Sequence, residues 1–213
     1  ELRANTPEVQ QVGQALHRAG FNGVLIVISN PVDVITGIYQ QVTGLPANQV
    51  FGTGTYLDTA RLKRSLGDAL NVDPRSIQGY MLGEHGDSQF AAWSTVRVLG
   101  QKADELVTNY HLDLDAVAND ARVGGFTVFS GKKYTNFAIA HAAVSLAQLV
   151  LSDAHNEAIV SHYDARFAGY ISTPAIIGRS GVVANFELTL TADEQRALQQ
   201  SANAIAEKTA AYL

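Results

Sequence analysis

The pattern of hydrophobic and polar positions predicts two helices and two strands in the first 52 residues. Apolar side chains recur at helical spacing over residues 9–19, and Thr6 before a proline is a candidate N-cap for that helix. Residues 24–28 (VLIVI) form a β-favouring run, typical of a strand covered on both faces. A second helix is predicted over 30–44 and a short strand over 49–52. This order indicates the second half of a doubly wound parallel sheet, so the fold class is α/β.

The pattern changes after this point to that of an α+β region. We predict helices over 55–70, 113–122 and 135–152, and strands over 76–82, 93–99, 158–163, 175–177, 181–184 and 186–190. A capping box from Thr191 to Glu194 begins a terminal helix. We therefore divide the chain into residues 1–51, the remainder of a cofactor-binding domain, and residues 52–213, an α+β catalytic and substrate-binding domain.

Composition and charge exclude several classes of function. The net charge is −5, and the chain has no run of lysine or arginine that could bind nucleic acid. The longest apolar stretch, 138–151, is interrupted by polar residues and is too short to cross a membrane. The chain has no cysteine, which fits a cytoplasmic protein, and its six histidines do not have metal-binding spacing, so no metal is expected.

Four polar residues are candidates for chemistry, and each also has an ordinary structural explanation. Asp58 and Arg61 share a helix face, where an i, i+3 pair is most often a solvated ion pair. His85 lies in a glycine-flanked loop, and a lone loop histidine is more often structural than catalytic. Asn30 precedes a proline at the carboxyl end of a predicted buried strand, which is an ordinary place for a turn. It is also the edge at which open α/β sheets bind ligands. Taken singly, none of the four assigns a function.

Four short motifs occur in order along the chain. They are residues 28–33 (ISNPVD), 52–61 (GTGTYLDTAR), 83–88 (GEHGDS) and 134–135 (YT). This set resembles the L-lactate/malate dehydrogenase family over essentially the whole chain, and within the family it is most similar to L-2-hydroxyisocaproate and L-lactate dehydrogenases. The resemblance implies an oxidoreductase that transfers a hydride between NAD(H) and a small L-2-hydroxy or 2-oxo acid. It also implies a homo-oligomer, a dimer or a tetramer, for the complete protein.

The resemblance implies a role for each candidate residue. His85 would be the general acid–base, because its ordinary pKa lies near neutrality. Asp58 would orient the imidazole and favour its protonated form. Arg61 would bind the substrate carboxylate through two parallel hydrogen bonds.

Four residues would line the rest of the site. Asn30 would contact both substrate and cofactor, and Thr53 would lie near the nicotinamide amide. Ile139 would pack on the nicotinamide ring, and Thr135 would border the substrate side chain. For Ile139 and Thr135, a core-facing helix position is an equally good explanation.

Parts of the family's pattern are absent from these 213 residues. The G-x-G-x-x-G turn of a Rossmann-type domain does not occur, nor does the mobile loop that supplies a carbonyl-polarising arginine; Arg3 is not assigned that role. We therefore expect the 213 residues alone not to turn over. Lys63 and Gln78 replace the arginine and histidine of sugar-phosphate-activated relatives, so we expect no activation through that site.

Other functions remain as alternatives. A malate dehydrogenase would share all these motifs, although Tyr134-Thr135 favours the lactate type. A Ser/His/Asp hydrolase is the alternative from another class; it lacks a G-x-S-x-G turn, and the nearness of Ser88 to His85 in sequence is not evidence of a nucleophile.

The glycines at 124 and 125 provide a hypothesis about substrate size. They follow the predicted helix over 113–122 and are interpreted either as its termination or as a widening of the substrate pocket. A wider pocket would accept branched 2-oxo acids such as 2-oxoisocaproate. Three more buried carbons, at about 0.8 kcal/mol each, would favour such a substrate over pyruvate by up to ~2.4 kcal/mol, or roughly 50-fold.

Overall fold

A computed structural model describes residues 2–211. The helices are α1 (Leu2–Arg18), α2 (Val32–Thr43), α3 (Tyr56–Leu70), α4 (Ala103–Tyr110), α5 (Leu114–Lys132), α6 (Phe137–Leu151) and α7 (Ala192–Ala210). The strands are β1 (Leu25–Val27), β2 (Val50–Gly52), β3 (Ile77–Gln78), β4 (Met81–Leu82), β5 (Phe90–Ala91), β6 (Arg97–Val98), β7 (Gln101–Lys102), β8 (Asn156–Asp164), β9 (Gly169–Gly178) and β10 (Gly181–Asn185).

A mixed five-stranded sheet with the order β1-β2-β8-β9-β10 forms the centre of the molecule. Strands β1 and β2 are parallel, and α2 connects them, as the helix–strand alternation predicts. The long strands β8 and β9 are antiparallel, and β8 joins β2 where Ser161 lies opposite Gly52. The predicted α/β class, a parallel segment followed by an α+β region, is confirmed. The antiparallel junction between the two parts was not predicted.

Several predicted boundaries agree with the structure. Helix α2 ends just before Gly44. Thr191 is the N-cap of α7, and its hydroxyl accepts a hydrogen bond from the backbone N–H of Glu194 (3.2 Å). The reciprocal bond from the N–H of Thr191 to the Glu194 carboxylate is 2.9 Å. A capping box is a local motif, so sequence alone identifies it.

Other predicted boundaries were wrong. Helix α1 contains Pro7, so Thr6 is not its N-cap. The predicted strand over 76–82 divides into β3 and β4, which belong to different sheets, because Gly79 turns the chain at a φ of +142°. Residues 186–190 form no strand. The first two errors occurred where a single proline or glycine decides a boundary that the hydrophobic pattern does not show.

Helix α5 is longer than predicted. It runs to Lys132, so Gly124 and Gly125 lie inside it and do not terminate it. The helix packs along α3, and tertiary contacts of this kind outweigh the low helix propensity of glycine, about 1 kcal/mol per residue. Thr135 lies in the connection before α6, not on a helix as predicted. None of the helices within residues 2–211 is long and apolar enough to cross a membrane.

Candidate active site

Helix α3 begins at the carboxyl end of β2 and is tied to β4 by two threonines. The Thr55 hydroxyl donates to the carbonyl of Met81 (2.6 Å), and the backbone N–H of Met81 donates to the hydroxyl of Thr59 (3.0 Å). Gly54 also lets this segment pack closely against β9, because a Cβ there would lie 2.2 Å from the hydroxyl of Ser172 on that strand. The GTGT segment therefore places the first turn of α3 beside the loop that follows β4.

The first turn of α3 and this loop bring three of the predicted residues together. Asp58 is 1% exposed, and its two carboxylate oxygens have different partners. One oxygen lies 2.6 Å from Nδ1 of His85, and the other accepts from Nη1 of Arg61 at 2.8 Å. The side chains of His85 and Arg61 are 27% and 20% exposed, so both reach solvent from a buried carboxylate. Because Nδ1 is engaged by Asp58, Nε2 is the ring nitrogen left for a ligand.

The surroundings of His85 favour its protonated form. Burial lowers the pKa of His85, but the hydrogen bond and the charge of Asp58, helped by the charge of Asp33, outweigh burial and leave the pKa raised. The imidazole is thus predisposed to hold a proton near neutral pH. That is the state a proton donor requires before reaction.

Asp33 belongs to the site, and the sequence analysis did not identify it. It lies in the first turn of α2, is 3% exposed, and accepts the backbone N–H of His85 at 2.8 Å. A signal was present in the sequence, since Asp33 interrupts the apolar residues Val32, Val34 and Ile35 within the ISNPVD motif. A carboxylate in an otherwise buried apolar run indicates a specific partner.

Helix α7 holds the histidine loop from its other side. The Ser201 hydroxyl accepts the backbone N–H of Glu84 (2.6 Å), and Lys208 forms an ion pair with the Glu84 carboxylate. Ser88 donates to the same carboxylate at 2.7 Å and lies 2.9 Å from the Ser201 hydroxyl. The Ser88 hydroxyl therefore takes part in hydrogen bonds that hold the loop, which counts against its being the nucleophile of a hydrolase.

The four remaining predicted residues differ in exposure. Asn30 is exposed at the carboxyl end of β1, and Thr53 is buried after β2, with its N–H bound to the carbonyl of Val27 (2.9 Å). Ile139 is half-buried on α6, and Thr135 is exposed. Among residues 2–211, none of these four side chains hydrogen-bonds to Asp58, Arg61 or His85.

Gly124 and Gly125 lie against the side chain of Arg61. A Cβ at Gly124 would lie 2.9 Å from Cδ of Arg61, closer than such contacts allow. A Cβ at Gly125 would lie 3.4 Å from Nη2, close to ordinary contact. The two glycines therefore provide space for the arginine, which the sequence analysis did not anticipate. Within residues 2–211 no group of three or more histidine, aspartate or glutamate residues is arranged to hold a metal ion.

Comparison with known proteins identifies the family of this fold and site. Residues 55–211 match the lactate/malate dehydrogenase α/β C-terminal domain, and residues 2–52 match the NAD-binding domain of the same family. The chain therefore belongs to the lactate/malate dehydrogenase family.

Individual relatives are L-lactate dehydrogenases. The chain is 37% identical over 209 residues to L-lactate dehydrogenase 3 of Bacillus thuringiensis, an alignment that covers 94% of this chain and 66% of the relative. It is 34% identical to L-lactate dehydrogenase 1 of Lactobacillus acidophilus, with 97% and 66% covered. The crystal structure of the minor L-lactate dehydrogenase of Enterococcus mundtii in its ligand-bound form superposes with a TM-score of 0.90 at 32% identity, covering 96% of this chain and 68% of that one. The chain thus spans about two thirds of the length of these relatives.

Proposed function

We propose that the complete protein is an NAD-dependent L-2-hydroxy-acid dehydrogenase of the L-lactate type. The observation that carries this proposal is the geometry of Asp58, His85 and Arg61. A buried carboxylate holds an imidazole and a guanidinium side by side, both of them open to solvent. Such a pair suits a substrate with a carbonyl beside a carboxylate. The imidazole can exchange a proton with the carbonyl oxygen, and the guanidinium can bind the carboxylate.

The chain's own residues would perform two tasks in the reduction of a 2-oxo acid. Arg61 would hold the substrate carboxylate, which orients the adjacent carbonyl. His85 would donate the Nε2 proton to the carbonyl oxygen, and Asp58 would stabilise the imidazolium before this transfer. NADH, when bound, supplies the hydride that the carbonyl carbon receives. In the reverse reaction neutral His85 would accept the hydroxyl proton.

The carboxyl edge of β1 and β2 supports the assignment of NAD as cofactor. Asn30 is exposed there, and α6, which contacts β1, carries the partly buried Ile139. These surfaces fit a nicotinamide ring and its carboxamide. We also assign Thr53 to cofactor binding and Thr135 to substrate binding.

We further propose the division into an NAD-binding part, residues 1–51, and a catalytic part, residues 52–213. A homo-oligomer is the proposed assembly of the complete protein. It is supported by large apolar side chains that α5 and α6 expose, among them Phe126, Phe129 and Phe137. The lack of cysteine supports a cytoplasmic location.

An absorbance assay at about 340 nm tests the proposed function. The complete protein is mixed with NADH and separately with pyruvate, 2-oxoisocaproate and oxaloacetate. Oxidation of NADH with the first two acids supports the proposal. Exclusive turnover of oxaloacetate would instead indicate a malate dehydrogenase, and no oxidation with any 2-oxo acid would refute it.

Replacing Asp58 with asparagine should shift the pH profile of reduction to lower pH. His85 is protonated at pH values below its raised pKa, and the activity in reduction is lost as the pH rises through that pKa. Without the carboxylate the pKa falls, so the loss begins at lower pH. One charged hydrogen bond contributes about 1.5–3 kcal/mol, so kcat/KM at neutral pH should fall roughly 10- to 160-fold. Asp68→Asn, a change at an exposed carboxylate of α3, is the control. If the midpoint of the pH profile did not change in Asp58→Asn, the proposed role of Asp58 would be contradicted.

Alanine at the two glycines should separate substrate positioning from substrate size. Gly124→Ala displaces Arg61, so kcat/KM should fall for every 2-oxo acid, by up to about 10²-fold. Gly125→Ala touches only the end of the guanidinium and should mainly shift preference from 2-oxoisocaproate towards pyruvate. Steady-state kinetics with both acids measure the two effects. Wild-type kinetics in both variants would show that the glycines affect neither.

A further inference from the structure

The carboxylate of Glu84 is buried directly before His85, and its two oxygens have different partners. One oxygen accepts from the Ser88 hydroxyl at 2.7 Å, and the other forms an ion pair with the ammonium of Lys208. Glu84 is 5% exposed, whereas the side chain of Lys208 is 49% exposed. A buried carboxylate without a counter-charge is costly, and Lys208 supplies that charge from the surface through its long side chain.

The pKa of Glu84 shows that this pairing outweighs the cost of burial. Burial by itself raises the pKa of the carboxyl group, but the hydrogen bonds from Lys208 and Ser88, together with the charge of Lys208, leave the pKa lowered. Glu84 is therefore ionised at neutral pH. Among the described residues, Lys208 is the lysine or arginine that forms an ion pair with it.

The position of the Glu84 side chain affects the loop on both sides of His85. The backbone N–H of Gly86 donates to the carbonyl of Glu84 at 2.9 Å, so the chain turns tightly around the histidine. A Cβ at Gly86 would lie 2.9 Å from the carboxyl carbon of Glu84, so the carboxyl group packs directly against the residue that follows His85. A displaced carboxylate would therefore disturb the backbone that carries the imidazole.

We propose that Lys208 is a positioning residue for the dehydrogenase reaction. Its ammonium holds the Glu84 carboxylate and thereby fixes the backbone of His85. Among the described residues, this ammonium hydrogen-bonds to Glu84 and to none of the three residues of the candidate catalytic cluster, so it acts through Glu84. The inference rests on the proposed function for its effect on catalysis, whereas the ion pair does not depend on that function.

Lys208→Met in the complete enzyme tests this role. Methionine keeps an unbranched side chain and removes the charge, so kcat for 2-oxo acid reduction should fall by about 10- to 100-fold. KM for the acid should change little, because Arg61 lies on α3. Lys208→Arg restores a cation and should recover most of the lost kcat.

Arg196→Met is the matched control. It removes a cation from the same helix, but from an exposed ion pair with Asp193, and should leave kcat unchanged. Equal kcat in Lys208→Met and Arg196→Met, or a loss that appears only in KM, would overturn the positioning role.

A second pair of variants tests whether Lys208 acts through Glu84. Glu84→Gln removes the buried charge but retains an oxygen that accepts from Ser88. In that background Lys208→Met should have no further effect on kcat, because no carboxylate remains to be paired. This comparison does not need the single variant Lys208→Met, so it decides even if that variant does not fold. A further loss of kcat on adding Lys208→Met would overturn the inference.

Amide hydrogen exchange separates the inference from the proposed function. The backbone N–H of Glu84 is bound to the Ser201 hydroxyl at 2.6 Å, so its exchange rate reports how firmly the loop is held. Exchange at Glu84 should be faster in Lys208→Met than in the wild type and unchanged in Arg196→Met, whether or not the protein reduces 2-oxo acids. Inactivity of the wild type would therefore count only against the proposed function, whereas unchanged exchange at Glu84 in Lys208→Met would overturn the inference.

Discussion

Replacing His85 with glutamine is expected to lower kcat/KM for 2-oxo acid reduction by about 10²–10⁴-fold, the range that general acid–base catalysis contributes. Glutamine retains a polar side chain beside Asp58 but cannot deliver a proton to a developing alkoxide near neutral pH. The loss should be largest in kcat, because Arg61 remains to bind the substrate carboxylate.

Steady-state kinetics of the complete protein with NADH measure this loss. His155→Gln is a suitable control, since His155 also lies near an aspartate, Asp153 at 3.4 Å, but on the surface and away from the cluster. The control should behave as the wild type. A His85→Gln enzyme within about threefold of wild type would exclude His85 as the proton donor of the proposed mechanism.

The second large effect is expected from Arg61→Lys. Lysine keeps the positive charge but cannot reproduce the planar pair of donors that fits a carboxylate. Truncating one partner of a buried charge pair costs about 2–5 kcal/mol, so we expect roughly a 30- to 5,000-fold lower kcat/KM, with most of the change in KM. The same change also weakens the contact of residue 61 with Asp58, which now spans 2.8 Å.

Arg64→Lys is the matched control for this variant. Arg64 lies on the same helix and pairs with the exposed residues Asp68 and Asp120. Exposed ion pairs of this kind contribute about 1 kcal/mol or less, so the control should change neither KM nor kcat. If Arg61→Lys and Arg64→Lys gave the same KM, Arg61 would not be the carboxylate-binding residue.

The sequence singled out members of the candidate site where residue type and a short motif are informative. Asp58 and Arg61 share a helix face by their spacing alone, and the motif context added His85. Asp33 was not found, because its contact is with a backbone N–H located 52 residues away, which no local pattern reveals. The anchoring of Glu84 by α7 was missed for the same reason: Lys208 is 124 residues further along the chain.

The predictions about the fold also divide into those that follow from local patterns and those that depend on tertiary contacts. The parallel pair of strands, the helix between them and the capping box of α7 follow from local patterns and were predicted. The length of α5 was not, because Gly124 and Gly125 weaken the helical pattern at the place where Arg61 requires them to be small. At this position a tertiary contact outweighs the low helix propensity of glycine, and the contact is with Arg61 of the candidate site.

The anchoring of the histidine loop by α7 has a practical consequence for handling the protein. Lys208 lies in the last turn of the helix, where ends commonly fray, yet it binds the residue immediately before His85. A protease cut or a bulky fusion partner near this turn would therefore loosen the histidine loop and lower activity while leaving the central sheet intact. A tag or fusion placed near this turn is best separated from α7 by a flexible spacer.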